Sequence, residues 1–225
     1  MKGRSLTLLA FYGFLASASA NPEIYTAVAS RFGSATANGI LLLKGTAKTA
    51  EPAEWTVYAQ DAFRPQEQLR ISARLQASGW LAEPAGAGAK VLSPAPSRTL
   101  DFGRLRVRSA EARFTAAKAA ALAQVTFVSI DYQLAANAVT GAPEWGMALL
   151  DETGHECGFV VVSGESGALI FQDWTPKIGA NPPAPSEGSE GERAARAVKK
   201  AARKAWNWTD RARTETKGFF RELFR

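Results

Sequence analysis

Two stretches of this chain repeat one pattern at a separation of about 90 residues, and any fold has to accommodate both copies. Ala53-Glu54-Trp55 with Asp61 recurs as Pro143-Glu144-Trp145 with Asp151, and Leu69, Ile71 and Gly79 are matched by Phe159, Val161 and Gly167. A stacked solenoid uses shorter units and needs several of them to bury a continuous core. A longer pattern present twice predicts duplication of a small domain instead. The matched positions Trp55, Asp61, Gly79, Trp145, Asp151 and Gly167 are therefore read as structural repeat positions. The two tryptophans could stack on a ligand, but on the inward side of a strand the core role is the more frequent one.

Each half carries the same order of elements. Ile24, Val28, Phe32 and Ala35 recur at three- and four-residue steps and predict a helix, with Asn21 as its cap and Gly33 as the point where it stops or bends. Asn38-Gly39 ends it and leads into the short apolar run Ile40 to Leu43, expected as a strand. Thr56 to Gln60 is expected to follow as a strand. Leu69 to Gln76 places Leu69, Ile71, Ala73 and Leu75 inward and Arg70, Ser72, Arg74 and Gln76 outward, the clearest two-residue period in the chain.

In the second half Ser109 is expected to cap a helix whose apolar side carries Phe114, Ala117, Ala121, Leu122 and Val125. Val128 to Leu134, Trp145 to Leu149 and Phe159 to Ser163 then read as three strands of an antiparallel meander, with turns at Thr140-Gly141 and Thr153-Gly154. The expected fold class is thus α+β: two tandem repeats, each a helix plus a three-stranded antiparallel sheet, followed by a disordered linker and a C-terminal amphipathic helix. A unit of about 70 residues is marginally stable alone, which gives duplication a physical reason. Whether the two sheets join is left open by the alternation.

Lys2 and Arg4 precede an apolar run from Leu6 to Leu15, and Ala18-Ser19-Ala20 supplies small residues suited to signal-peptidase cleavage. Residues 1–20 are expected to be a signal peptide of an exported protein, periplasmic or secreted. The apolar run is about half of the roughly 20 residues needed to cross a bilayer. Cys157 is the single cysteine, so no internal disulfide forms and the fold depends on its core.

Charge is unevenly distributed. Residues 191–225 carry 11 basic and 4 acidic side chains, whereas residues 21–190 carry 14 basic and 17 acidic ones. The sequence pI of about 9.6 therefore reports a tail and not a basic globular face. A nucleic-acid argument from charge applies to that segment alone and is the weakest of its readings.

The expected boundaries are 21–83 for the first repeat, 84–100 for an Ala-, Gly- and Pro-rich linker, 101–174 for the second repeat, 175–191 for a disordered Pro-rich linker and 192–225 for a basic amphipathic helical tail. Helix, strand, the Pro-Glu-Trp element, a Thr-Gly turn and the closing run Val160-Val161-Val162-Ser163-Gly164-Glu165-Ser166-Gly167-Ala168-Leu169 resemble the PepSY-type domains of bacterial exported proteins. Residues 106–171 carry the resemblance and residues 23–81 a fainter version. It implies a small α+β module of the periplasm or envelope, associated in some members with binding or restraining peptidases. It implies no catalytic residues, and the linkers and tail fall outside it.

Catalytic chemistry finds little to work with. His155 is the single histidine, so a multi-histidine zinc site cannot be written, and a Cys157–His155 dyad would compress both groups into one tight turn. Asp151, Glu152 and Glu156 flank a hairpin without calcium-loop spacing, and Glu165 with Gly167 lacks the lysine and helix of a phosphate loop. No catalytic residue, metal ligand or cofactor is assigned.

The tail offers an interaction mechanism. Ala194, Val198, Ala201, Ala205 and Trp208 follow helical steps, and Arg196, Lys199, Lys200, Arg203 and Lys204 surround them with positive charge. Trp206, Trp208, Phe219, Phe220, Leu223 and Phe224 add large apolar groups suited to an anionic membrane interface or a partner protein. Docking on its own body or on another copy, and a simple solvated helix, are the competing readings. The functional expectation is an exported, non-enzymatic binding or structural module of the cell envelope, held by its tail to a membrane or partner. The alternative is a peptidase inhibitor or chaperone-like protein acting through its repeats.

Overall fold

The computed structural model describes residues 20–48, 51–64, 67–85 and 96–174. Nearly all of the expected signal peptide, most of the first linker, and both the Pro-rich linker and the helical tail with all its contact residues lie outside the described residues.

The described residues open with α1 (Ala20–Phe32), which buries Ile24 and Val28 completely. Its start one residue before Asn21 removes that residue from the expected capping position. Gly33, at φ +88°, interrupts the helix as expected, and a single further turn, α2 (Ser34–Asn38), follows. Four strands come next: β1 (Ile40–Ala47), β2 (Glu54–Gln60), β3 (Gln68–Gln76) and β4 (Gly79–Pro84). The second half consists of α3 (Ser109–Leu122), β5 (Ser129–Ala136), β6 (Pro143–Leu150), β7 (Glu156–Ser163) and β8 (Leu169–Trp174). The expectation of three strands per half is corrected to four. β4 and β8 are six residues each, lie at the sheet edges and show little alternation, so pairing with β3 and β7 defines them more than their own pattern does.

All eight strands form one antiparallel sheet, in the order β4-β3-β2-β1-β5-β6-β7-β8. Two separate three-stranded sheets are thereby excluded. The first strands of the two halves pair with each other, from Leu42 opposite Ala135 to Ala47 opposite Ile130, and each meander runs outward from that seam. The seam removes two strand edges that separate sheets would have left with unpaired backbone groups.

The three helices lie on one face. α1 packs over β4 and β3, and α3 over β7, β6 and β8. Between them, above the seam, sits an aromatic cluster: Trp55 and Trp145 have ring centroids 5.9 Å apart, and Tyr132 stands 6.0 Å from Trp55 and 6.5 Å from Trp145. Each such pair contributes roughly 0.5–1.5 kcal/mol beyond its area burial. The tryptophans thus join the two halves to one another, where packing against a separate helix in each half would have kept them apart. Gly45 makes room for this, since a Cβ there would stand 2.9 Å from Trp55 Cε3 and from Pro52.

The face that α3 presents also differs from expectation. Ser109, Ala112, Ala116, Ala119 and Ala120 are buried, while Phe114 and Leu122 are 73% and 81% exposed. Small side chains let the helix axis approach the sheet closely, and the larger residues are left outside. Ser109 is the first helical residue rather than the cap. Its hydroxyl donates to Glu51 Oε1 at 2.6 Å, and the same oxygen accepts the Ala110 N–H at 3.0 Å. A carboxylate from the first half therefore satisfies the helix N-terminus of the second, where the helix dipole favours negative charge. Residues 96–108 are not a free connector: Leu100 is buried and its N–H bonds to Ile40 O at 2.7 Å, while Arg106 and Val107 both donate to Gly164 O at 2.8 Å.

Candidate functional site

The matched positions fill matched places. Asp61 accepts the backbone N–H groups of Phe63 (2.8 Å) and Arg64 (3.2 Å) and so closes the turn between β2 and β3. Asp151 does the same between β6 and β7, accepting from Thr153 N (2.8 Å), Thr153 Oγ1 (2.6 Å) and His155 N (3.0 Å). Those bonds hold its carboxyl below the usual range. Gly79 and Gly167, at φ +114° and +73°, supply the left-handed backbone that leads into β4 and β8. Trp55 and Trp145 are wholly buried and meet no surface ligand. Their polar ends differ: Trp145 Nε1 donates to Val107 O at 2.9 Å, whereas Trp55 Nε1 is buried with no hydrogen-bond partner.

His155 and Cys157 are occupied structurally. Thr153 has one hydroxyl proton and gives it to Asp151, so the 2.6 Å contact to His155 Nδ1 is a bond donated by the imidazole. The Cys157 thiol donates to Leu149 O at 3.3 Å, and burial pushes its pKa up, away from the reactive thiolate. No bond joins the two side chains. Among the described residues, no group of three or more His, Cys, Asp or Glu side chains is placed to hold a metal ion.

A partly buried polar set lies on the helix side of the seam beside the aromatic cluster. The Tyr132 phenol is pushed up by burial, the Arg113 guanidinium works in the opposite direction, and no hydrogen bond of ordinary geometry reaches its oxygen. Arg113 extends toward the Lys48 carbonyl at 3.5 Å. Ser109 and Tyr132 were legible in the sequence as a helix start and a strand position, but their partners were not, because the contacts run between segments about 60 residues apart, such as Glu51 and Ser109.

The face of the sheet away from the helices is the broadest feature with the chemistry of a binding surface. It carries a second apolar cluster of Leu41, Leu42, Ala135, Val161 and Phe171, flanked by Tyr58 and Phe159. A bulge in β1 between Ile40 and Leu42 lets one apolar run serve both faces: Ile40 and Leu43 enter the helix-side core, Leu41 and Leu42 the other cluster. Toward β2 and β3 this face is polar, with Glu54 bound by Ser72 (2.7 Å) and Arg74 (3.1 Å), which lower its pKa. Toward β6, burial raises the Glu144 carboxyl while Asn137 Nδ2 donates to it at 2.8 Å. The sequence signal for this cluster was the unbroken Ile40-Leu41-Leu42-Leu43 run, more apolar than a strand with one buried face requires.

Where the expected tail contacts sit relative to this face lies outside the described residues. That holds for Lys199, Lys200, Arg203, Lys204, Trp206, Trp208, Phe219, Phe220, Leu223 and Phe224 alike. Comparison with protein-family models, with curated proteins and with solved structures finds no match. Among the described residues no helix is long and apolar enough to cross a membrane.

Proposed function

We propose that the chain is an exported, non-enzymatic binding or structural module of the cell envelope, built from two PepSY-like units and attached to a membrane surface or partner protein by its basic amphipathic tail. The observation that carries this reading is the one-sided sheet: the described helices cover one face, and the other carries a buried apolar cluster centred on Leu42, Val161 and Phe171. The corresponding positions of Trp55 and Trp145, of Asp61 and Asp151, and of Gly79 and Gly167 support duplication of one unit. The structural engagement of His155 and Cys157 supports a role without turnover. Co-sedimentation with anionic vesicles, comparing the full chain with a version ending at Gly191, tests the attachment. Binding by the full chain alone is the expected result, and equal behaviour of the two removes the membrane role.

The alternative, a peptidase inhibitor or chaperone-like protein, draws on the sheet edge. β8 is an outermost strand, and Leu169 and Ile170 are 41% and 48% exposed, so an extended segment of a peptidase could add to it. Loss of peptidase activity on mixing with the chain, relieved by Ile170→Pro, is the outcome that would favour it.

A further inference from the structure

We infer that segment 192–225 docks in cis across the open face of its own sheet, seated over Leu42, Val161 and Phe171. The inference rests on the reading of that segment as an amphipathic helix, and it names the surface that its apolar stripe covers when no membrane is present.

The first argument is burial. Leu41, Leu42 and Val161 are at most 1% exposed and Phe171 is 8% exposed. Yet the principal helix–strand packings among the described elements fall on the opposite face: α1 on β4 and β3, α2 on β2, and α3 on β6, β7 and β8. Tyr58 and Phe159 shield the flanks of this cluster, but no described element forms a layer above it. A sheet face buried to this degree calls for such a layer.

Reach and shape point to the same segment. The chain leaves the sheet at Trp174, the end of β8, three residues after Phe171. Residues 175–191 can extend to roughly 55 Å, ample to turn back over a sheet whose eight strands, about 4.8 Å apart, span roughly 34 Å. As a helix, residues 192–209 would be about 27 Å long and would cross most of it. The floor it meets is made of small residues, Ala135, Gly146 and Ala148, between Leu42 on one side and Phe159, Val161 and Phe171 on the other. An apolar stripe of Ala194, Val198, Ala201 and Ala205 can approach such a floor closely, with Trp208 at its end.

Charge adds direction. Strands β5 to β8 contain Asp131, Glu144, Glu156 and Asp173 and no lysine or arginine, whereas β1 to β4 mix Lys44, Arg70 and Arg74 with Glu54 and Glu83. Alternation from Val161 and Phe171 places Asp131 and Asp173 on the open face, in one row with Ala148 and Phe159. A helix bearing Arg196, Lys199, Lys200, Arg203 and Lys204 is drawn to the acidic half of the face in preference to the half of mixed charge.

The test uses the full chain carrying Cys157→Ser and Ala205→Cys, with a nitroxide on the new cysteine and isotope-labelled Leu and Val methyl groups, in lipid-free buffer. Leu42 and Val161 methyl signals should lose most of their intensity, and those of Val57 and Leu134 on the helix-covered face should lose less. Asp131→Lys with Asp173→Lys, checked for retained fold by circular dichroism, should restore the signals. Unselective or absent broadening overturns the inference. So does broadening that appears only when spin-labelled chains are mixed with isotope-labelled ones, because it assigns the contact to a second copy. Vesicle sedimentation is scored separately: vesicle binding without selective broadening leaves the attachment reading standing and removes this one, and the reverse result does the opposite.

Discussion

Trp55 lies over Gly45 on the neighbouring strand, so closely that a Cβ at residue 45 would stand 2.9 Å from the indole Cε3. This vacancy on β1 lets the ring extend over the seam to Trp145 and Tyr132. Gly45→Ala should destabilise the fold by about 1–3 kcal/mol, the usual cost of overpacking a filled core, and Gly45→Val by more. Urea unfolding followed by tryptophan fluorescence measures both. An unchanged midpoint for Gly45→Val would show that the cluster does not depend on that gap.

The two tryptophans are equally buried but differ in their hydrogen bonds, which predicts unequal substitutions. Trp145→Phe removes the partner of the buried Val107 carbonyl, whereas Trp55→Phe removes an N–H that has no partner. Both leave a smaller ring, so the difference isolates the bond. Trp145→Phe should cost about 1–2 kcal/mol more than Trp55→Phe in matched denaturation curves.

Glu51 and Ser109 tie the β1–β2 connection of one half to the helix of the other. Glu51→Gln keeps the shape and removes the charge that the helix N-terminus favours, and should cost about 0.5–1 kcal/mol. Glu51→Ala should cost more, because it also leaves the buried Ser109 hydroxyl without its acceptor. A double-mutant cycle with Ser109→Ala should show coupling between the two sites.

Asp151 predicts a pH dependence. Its bonds to Thr153 and to the His155 N–H hold its carboxyl below the ordinary aspartate range, so the folded state binds the proton less readily than the unfolded chain. The stability it contributes is present above that range and is lost as pH falls through the folded pKa. Asp151→Asn should therefore lower the thermal midpoint at pH 6, and the gap from the unsubstituted chain should narrow as the pH falls below the ordinary aspartate range. A gap that persists unchanged in acid would assign the effect to shape and not to charge.

Much of the architecture is legible in the chain before folding. The alternation Ile130, Tyr132, Leu134 and Trp145, Met147, Leu149 marks six residues that are at most 1% exposed. The same two-residue period also put Leu75 and Val128 inward, and these are 51% and 40% exposed, Leu75 beside the β3–β4 turn and Val128 just ahead of β5. Gly33 punctuates the first helix where its flexibility predicts. Less legible were β4 and β8, whose short runs acquire strand geometry only through neighbours. The burying side of α3 was also misread, since a count of large apolar residues favours Phe114 and Leu122 while close packing favours alanine. The open-face cluster escaped notice because alternation identifies two faces without saying that both are covered.

The sequence by itself determined most of the inward residues of the central strands, where the main turns fall and that one pattern occurs twice, because these depend on local period and on backbone freedom at single positions. Only the tertiary structure decided that the two patterns share one sheet. That outcome depends on β1 finding β5 and on Trp55 crossing Gly45 to reach Trp145, contacts between residues about 90 positions apart that no local period encodes.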